Sequence, residues 1–341
     1  MKETTKILNE DSRQLSKFIK KESIDFVTFS PPYWNLRDYN FSGQIGFKQS
    51  YDEYMEDMKK VFLECFKVLK NGRFMAINIG TVVSNEGMKF IAGDFVKKSM
   101  EVGFVFRKDV IWHKPRGTTK WQRGATQFSQ NPYPLKFNTN INHEYILIFQ
   151  KGDLVDIDYT NISKFNRQFV RKMAYSTWNI IPINSPKNDE KHVAPFPEEL
   201  PRRLIILFTF KNDIVLDPFA GCGTTNKVAK ELGRKSIAIE LSSEYCNLIK
   251  KKVMNVKFNS YNDSEIYDNS ANYDIKKSKE KLDNAKKNYD RAKREHKKAL
   301  SKLSKENGGS MHQIMLGGKC ISQHRKKSIA LKKLKNLKKG I

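Results

Sequence analysis

The chain has 341 residues, 39% of them hydrophobic and 29% charged, with a formal net charge of +26. That length holds one sizeable α/β domain plus an extension, and the apolar content is enough for a core. No apolar run approaches a membrane span, and the start, Met1-Lys2-Glu3-Thr4, has no signal-peptide core; a soluble, cytoplasmic protein with no membrane partner is expected. The positive balance favours a polyanionic partner. It is uneven, since residues 255–341 alone carry 23 Lys+Arg against 9 Asp+Glu. Cys65, Cys222, Cys246 and Cys320 form no Cys-x-x-Cys pair, so neither a disulfide framework nor a zinc site is indicated.

In chain order, Ile24-Asp25-Phe26-Val27-Thr28-Phe29 reads as a buried strand. It runs into Ser30-Pro31-Pro32-Tyr33-Trp34, where two prolines forbid further pairing and hold one hydroxyl and two aromatics on a rigid loop. From Tyr51 to Leu69 the apolar residues recur at helical spacing, and Asn71-Gly72 is expected to stop that helix. Strands are predicted over Phe74–Ile79, Phe104–Trp112 and His143–Gln150, with a helix over Phe90–Val102. Residues 113–142 read as a basic loop, with Lys114, Arg116, Lys120 and Arg123 around Trp121. Residues 152–191 show no long periodic pattern; His192-Val193-Ala194-Pro195-Phe196-Pro197 then leads into a helix from Glu198 to Phe208.

Ile214-Val215-Leu216 leads into Asp217-Pro218-Phe219-Ala220-Gly221-Cys222-Gly223-Thr224-Thr225. A helix follows from Thr225 to Leu232, then a strand, Ser236–Ile239, with Glu240 at its end. Strand, glycine loop, helix, strand, acid is the order of a nucleoside-binding unit, and the acid lies 19 residues after Gly221. The loop has neither the Gly-Lys-Ser/Thr ending of a P-loop nor a third glycine at dinucleotide spacing. A nucleoside cofactor without a pyrophosphate fits better than ATP or NAD; a plain tight turn is the alternative. Strands alternating with helices imply a parallel or mixed sheet covered on both faces. Past a polar linker near Asn259, Ile275, Leu282, Tyr289, His296 and Leu303 recur every seven residues in a lysine-rich segment, a seam that permits a dimer without requiring one.

Ser-Pro-Pro-Tyr at 30–33 and Asp-Pro-Phe-Ala-Gly-Cys-Gly-Thr-Thr at 217–225 resemble the catalytic and cofactor motifs of DNA amino-methyltransferases. The catalytic motif comes first, as in the permuted beta group. Val68–Phe74, His143–Leu147, Trp178–Pro182 and His192–Pro197 fit the same order, so the resemblance spans roughly residues 7–254. It implies an α/β, Rossmann-like methyltransferase fold, mostly parallel with helices on both faces, over 1–258, with a target-recognition segment at about 152–191. Residues 259–341 would be a basic helical extension. It further implies S-adenosylmethionine as cofactor, double-stranded DNA as partner, and a restriction-modification setting with a separately encoded endonuclease.

By that resemblance Ser30, Pro31, Pro32 and Tyr33 are catalytic. An exocyclic base amine is a poor nucleophile because its lone pair is delocalised into the ring. The Ser30 hydroxyl and Pro31 carbonyl, accepting its protons, would free that pair, and Tyr33 would stack on the extruded base. Asp217, Phe219, Gly221, Gly223, Thr224 and Phe196 would surround the cofactor, and Glu240 its ribose. Asp11 would meet the cofactor's adenine amine or, alternatively, cap a helix. Trp34, Arg37, Lys114, Arg116, Arg123, Arg167 and Arg171 are expected on the DNA, and the basic tail on phosphates. In the family, Ser-Pro-Pro-Tyr usually accompanies N4 of cytosine; N6 of adenine and a binding protein without catalysis are the alternatives. Carbon-5 methylation needs a cysteine nucleophile, usually after proline, and Glu, Gly, Tyr and Lys precede the four cysteines here.

Overall fold

The computed structural model describes residues 4–36, 38, 43–84, 87–115, 132–136, 140–157, 165–183 and 196–256, and seven residues between 287 and 295. The chain divides into two compact units, Met1–Asp268 and Asn269–Ile341. In the first, the strands are β1 (Thr5–Leu8), β2 (Ile24–Phe29), β3 (Leu69–Ile79), β4 (Val82–Ser84), β5 (Gly87–Lys89), β6 (Phe104–His113), β7 (His143–Lys151), β8 (Thr177–Asn179), β9 (Ile214–Asp217) and β10 (Lys235–Ile239). Its helices are α1 (Tyr51–Val68), α2 (Ile91–Val102), α3 (Arg167–Met173), α4 (Glu199–Phe208), α5 (Thr224–Glu231) and α6 (Ser243–Met254).

Eight strands form one sheet in the order β1-β10-β9-β2-β3-β7-β6-β8, and β4 with β5 makes a separate hairpin. The run from β1 to β3 is parallel; β7 is antiparallel to both β3 and β6, and β8 returns parallel to β6. Every residue of β2 is buried, as a central parallel strand requires. Alternate side chains divide between two layers. Val27, Phe29, Met75, Ile77, Leu147 and Leu216 face α1 and α2, whereas Phe26, Ala76, Ile146, Ile148 and Val215 pack with residues of α4 and α5. Helix α1 begins at a full capping box, Ser50 with Glu53.

Connections leave the middle of the sheet in opposite directions. From β2 the chain passes through α1 to β3 on one side, and from β9 through α5 to β10 on the other. The switch point therefore lies between β2 and β9, where ligands sit in such sheets.

One expectation is corrected. Helix α1 ends at Val68, and Leu69 already pairs with Ile24, so Asn71-Gly72 lies inside β3 as an irregularity rather than as a helix stop. Gly72 makes that possible with φ +75. Within 152–191, Trp178 is buried and the Trp112 indole N–H donates to the Ile180 carbonyl at 2.8 Å, so 177–180 completes the sheet edge. Strand β1 and helix α6 are found in addition. In the second unit the described residues are helical, with Arg291 Nε 3.1 Å from Glu295. Of the heptad residues only Tyr289 is described; Ile275, Leu282, His296 and Leu303 lie outside the described residues.

A β-carbon at Gly72 would stand 2.2 Å from Val155 Cγ2 and 2.9 Å from the Asp153 carbonyl. Gly72→Ala should lower the unfolding free energy by about 1–3 kcal/mol in a denaturant titration. Gly87→Ala, at φ +110 with nothing within 4 Å, should lose only the backbone-strain part.

Candidate active site

The register brings the motifs together. Val27 pairs with Leu216 and Ala238 with Asp217, so β2, β9 and β10 end side by side. Phe29 pairs with Ile77, which places Gly80 at the same edge; antiparallel β7 brings Glu144 there at its start. The loop after β2 and the glycine loop after β9 thus emerge from neighbouring strands. Phe29 and Phe219 touch beneath them, ring centroids 5.6 Å apart.

The Ser30–Tyr33 loop is held from several sides. Buried Tyr54 donates its hydroxyl to the Pro32 carbonyl at 3.0 Å. Tyr33 accepts the Gly80 N–H at 3.0 Å. Its phenol is pushed well above the usual range, first by burial and then by the charge of Glu144, and Ser30 lies within reach of it. The Glu144 carboxylate takes a 2.6 Å bond from Asn78 Nδ2 and an ion pair from Lys114, whose ammonium also stands 4.8 Å from the Trp112 ring. Asn78 Oδ1 is buried without a hydrogen-bond partner.

In the glycine loop, Gly221 and Gly223 both have positive φ, +52 and +77. A β-carbon on Gly223 would stand 2.9 Å from Ile249 Cγ2, so this glycine also serves packing against α6. Glu240 accepts the Gly221 N–H at 2.8 Å and the Ser242 N–H at 2.9 Å. A carboxylate has about four acceptor positions, so capacity is left for a hydroxyl donor. Burial raises its pKa. Asp217 is fully buried, accepts the Phe219 N–H at 3.0 Å, and is raised to about 7 by burial, with the charge of Glu240 adding. Thr224 opens α5 and is buried, as is Asn226, whose amide oxygen and nitrogen both lack partners.

Asp11 caps the 3-10 turn Ser12–Lys17, and Arg13 grips its carboxylate at 2.6 Å while also meeting Asp57 at 2.8 Å. The cap reading of Asp11 is thus seen in the structure, and the adenine-facing reading stays an expectation. Phe196 packs against the cluster containing Leu200 and Leu204. The Trp34 indole N–H donates to the Gln49 carbonyl at 2.9 Å and its ring stands edge-on to Tyr51, so it braces its own loop. Lys114, expected on DNA, pairs with Glu144. Arg167 and Arg171 are exposed one turn apart on α3, an arrangement open to phosphates. Arg37, Arg116, Arg123 and His192 lie outside the described residues. Sequence reasoning did not single out Tyr54, Asn78, Gly80 or Asn226. Glu144 stood within a quoted motif without a role. Among the described residues no cluster of His, Cys, Asp or Glu could hold a metal ion, and no helix is long and apolar enough to cross a membrane.

A switch-point sheet with a glycine loop, a terminal strand acid and a facing Ser-Pro-Pro-Tyr loop defines a Rossmann-like methyltransferase. The sequence model of the DNA methylase family matches residues 24–251, and the chain belongs to that family. Over 280 residues it is 28% identical to the type II methyltransferase M.SmaI of Serratia marcescens, covering 73% of this chain and 90% of that one. A protein of Thermus thermophilus assigned as a DNA modification methylase, solved in complex with S-adenosyl-L-methionine, is 27% identical with a TM-score of 0.58, covering 76% and 99% of the two chains. The cytosine-N4-specific PvuII DNA methyltransferase has the same TM-score, 0.58, at 20% identity over 78% of this chain and 90% of that one, a likeness of fold alone.

The Asp217 value carries a sign. The native carboxyl keeps a proton up to about 7 that the unfolded chain releases near 3.8, so its contribution to stability is lost as pH rises between those values. Denaturant midpoints should fall further between pH 5 and pH 8 in the parent than in Asp217→Asn. Equal falls would show that Asp217 does not titrate in this window.

Proposed function

We propose that this DNA methylase is a site-specific enzyme of a restriction-modification system that transfers a methyl group from S-adenosylmethionine to the N4 amine of a cytosine turned out of duplex DNA. The observation that carries this is the emergence of the Ser30 loop and the glycine loop from the adjacent parallel strands β2 and β9. A base amine held at one loop can meet a cofactor held at the other.

The residues of the glycine loop suit that cofactor. Glu240 is an acceptor-only carboxylate at the end of β10, placed for a ribose diol, and the loop backbone at Gly221 leaves room for close approach. Asp217, Phe219, Gly223 and Thr224 complete this wall. Bound there, S-adenosylmethionine supplies an electrophilic methyl group. The chain's own part is to make the amine attack. Ser30 Oγ and the Pro31 carbonyl accept the amine protons, which draws the nitrogen toward tetrahedral geometry and frees its lone pair. Pro31, Pro32 and the Tyr54 bond keep the acceptors in place before the base arrives. The half-buried Tyr33 ring offers a stacking face to the extruded base.

Arg167 and Arg171 would meet phosphates, and residues 259–341 would add lysine contacts outside a catalytic domain of residues 1–258. A separately encoded endonuclease would complete the system. Deleting 259–341 should weaken DNA binding and flatten its salt dependence while leaving cofactor affinity intact; an unchanged salt slope would sink the role of the tail.

The deciding experiment is product identity. Purified protein, S-adenosylmethionine and genomic duplex DNA should yield N4-methylcytosine on nucleoside mass spectrometry, and Ser30→Ala should lower kcat by about 100-fold or more. N6-methyladenine would keep the mechanism and overturn the base; no methylated base would favour a binding protein.

A further inference from the structure

Glu144 lies outside both the catalytic and the cofactor motif yet stands against the catalytic loop. A β-carbon at Gly80 would meet Glu144 Cγ at 3.3 Å and the Tyr33 hydroxyl at 3.4 Å, so the carboxylate and the phenol flank the same backbone. Asn78 and Lys114 fix the carboxylate, and Glu144 is largely buried, with 16% of its side chain exposed. A hydroxyl has one proton to give and two lone pairs. One lone pair of Tyr33 takes the Gly80 N–H. Its proton has two candidate acceptors nearby, Glu144 and Ser30, and a carboxylate is much the stronger. With the Tyr33 proton turned to Glu144, its remaining lone pair is left to receive the Ser30 proton. Both lone pairs of Ser30 then face away from Tyr33.

We infer that Glu144 is a positioning residue: through Tyr33 it sets the direction of the Ser30 hydroxyl, so that Ser30 meets the target amine only as an acceptor. This rests on the reading of Ser30 as the amine acceptor. It gives Tyr33 a second task besides stacking, and it explains a largely buried ion pair beside the site. Lys114 balances the charge of the carboxylate, and Asn78 orients it. A glutamine at 144 would present N–H groups to Tyr33. Tyr33, already accepting from Gly80, would then donate to Ser30 and occupy one of the lone pairs that the amine needs.

The test is single-turnover methyl transfer with full-length protein, DNA and S-adenosylmethionine, alongside equilibrium binding of each. Glu144→Gln and Tyr33→Phe should each slow the transfer step at least tenfold, with cofactor and DNA affinities within about twofold of the parent. The double variant should be no slower than the slower single one, because both changes break the same chain of bonds. Glu144→Asp should recover part of the rate. Parent-like rates in Glu144→Gln, or losses that multiply in the double variant, would overturn the inference. If Glu144→Gln does not fold, Tyr33→Phe decides alone, and a parent-like rate there overturns it. Ser30→Ala separates the two readings. Its full activity would remove the acceptor role itself, whereas its inactivity beside active Glu144→Gln and Tyr33→Phe would remove only the positioning role.

Discussion

The short parallel contact between β2 and β9 is the constraint on which the site depends. It is two register pairs long, Phe26 with Val215 and Val27 with Leu216. Asp25 reinforces it: this buried carboxylate accepts the Ile214 N–H at 2.9 Å and pairs with Lys70 at 2.7 Å and Arg73 at 3.3 Å. One side chain thereby ties together β2, β3 and β9 below the site. A slip of one residue would exchange the two faces of β9, placing Leu216 where Val215 packs. The alternating division of core side chains between α1–α2 and α4–α5 therefore locks the register, and the register sets the distance between the two loops.

Above that lock, the edge of the sheet concentrates acids and removes water from them. Asp217 and Glu240 are both raised by burial. Backbone N–H groups of Phe219, Gly221 and Ser242 hold them. Such acids are costly to the fold by themselves and suited to a ligand rich in hydroxyl and amine donors. Glu144 is arranged the opposite way, with a lysine at hand. The two halves of the site thus hold carboxylates differently, one set by backbone N–H groups and one by an amide and a lysine.

Much of this was legible in the sequence because it rests on local chemistry. Strand β2 was readable to the residue from its apolar run and the prolines after it, and the order from Ile214 to Glu240 announced a nucleoside-binding unit. What escaped depended on contacts distant in sequence. Tyr54 looked like one more apolar position on α1, and its hydroxyl matters only because Pro32 lies above it. Gly80 carries no motif. Asn71-Gly72 looked like a helix stop because the pattern Asn-Gly says turn, whereas pairing of Leu69 with Ile24 pulls the chain into the sheet before that dipeptide is reached. Asp11 offered a ligand or a cap, and its pairing with Arg13, which also meets Asp57, depends on a contact from α1 that the local pattern does not show.

The same distinction governs the positive charge. The positive balance favours a polyanionic partner, yet many basic residues within 1–254 are engaged within the fold. Arg13, Lys70, Arg73, Lys114, Lys151, Arg202, Arg203 and Lys227 all pair with acids. Arg234 is buried, with bonds to the Thr209 and Leu232 carbonyls. A cation held this way contributes to register and rigidity, and it releases no counterions when a polyanion arrives. Net charge therefore overstates what this unit can offer to phosphates. Arg167 and Arg171, exposed on α3, are not among these internally paired cations. Of these pairs, that of Lys114 with Glu144 stands beside the Ser30 loop, because Glu144 and the Tyr33 hydroxyl flank Gly80, so there an internal charge pair braces the site rather than meeting a phosphate.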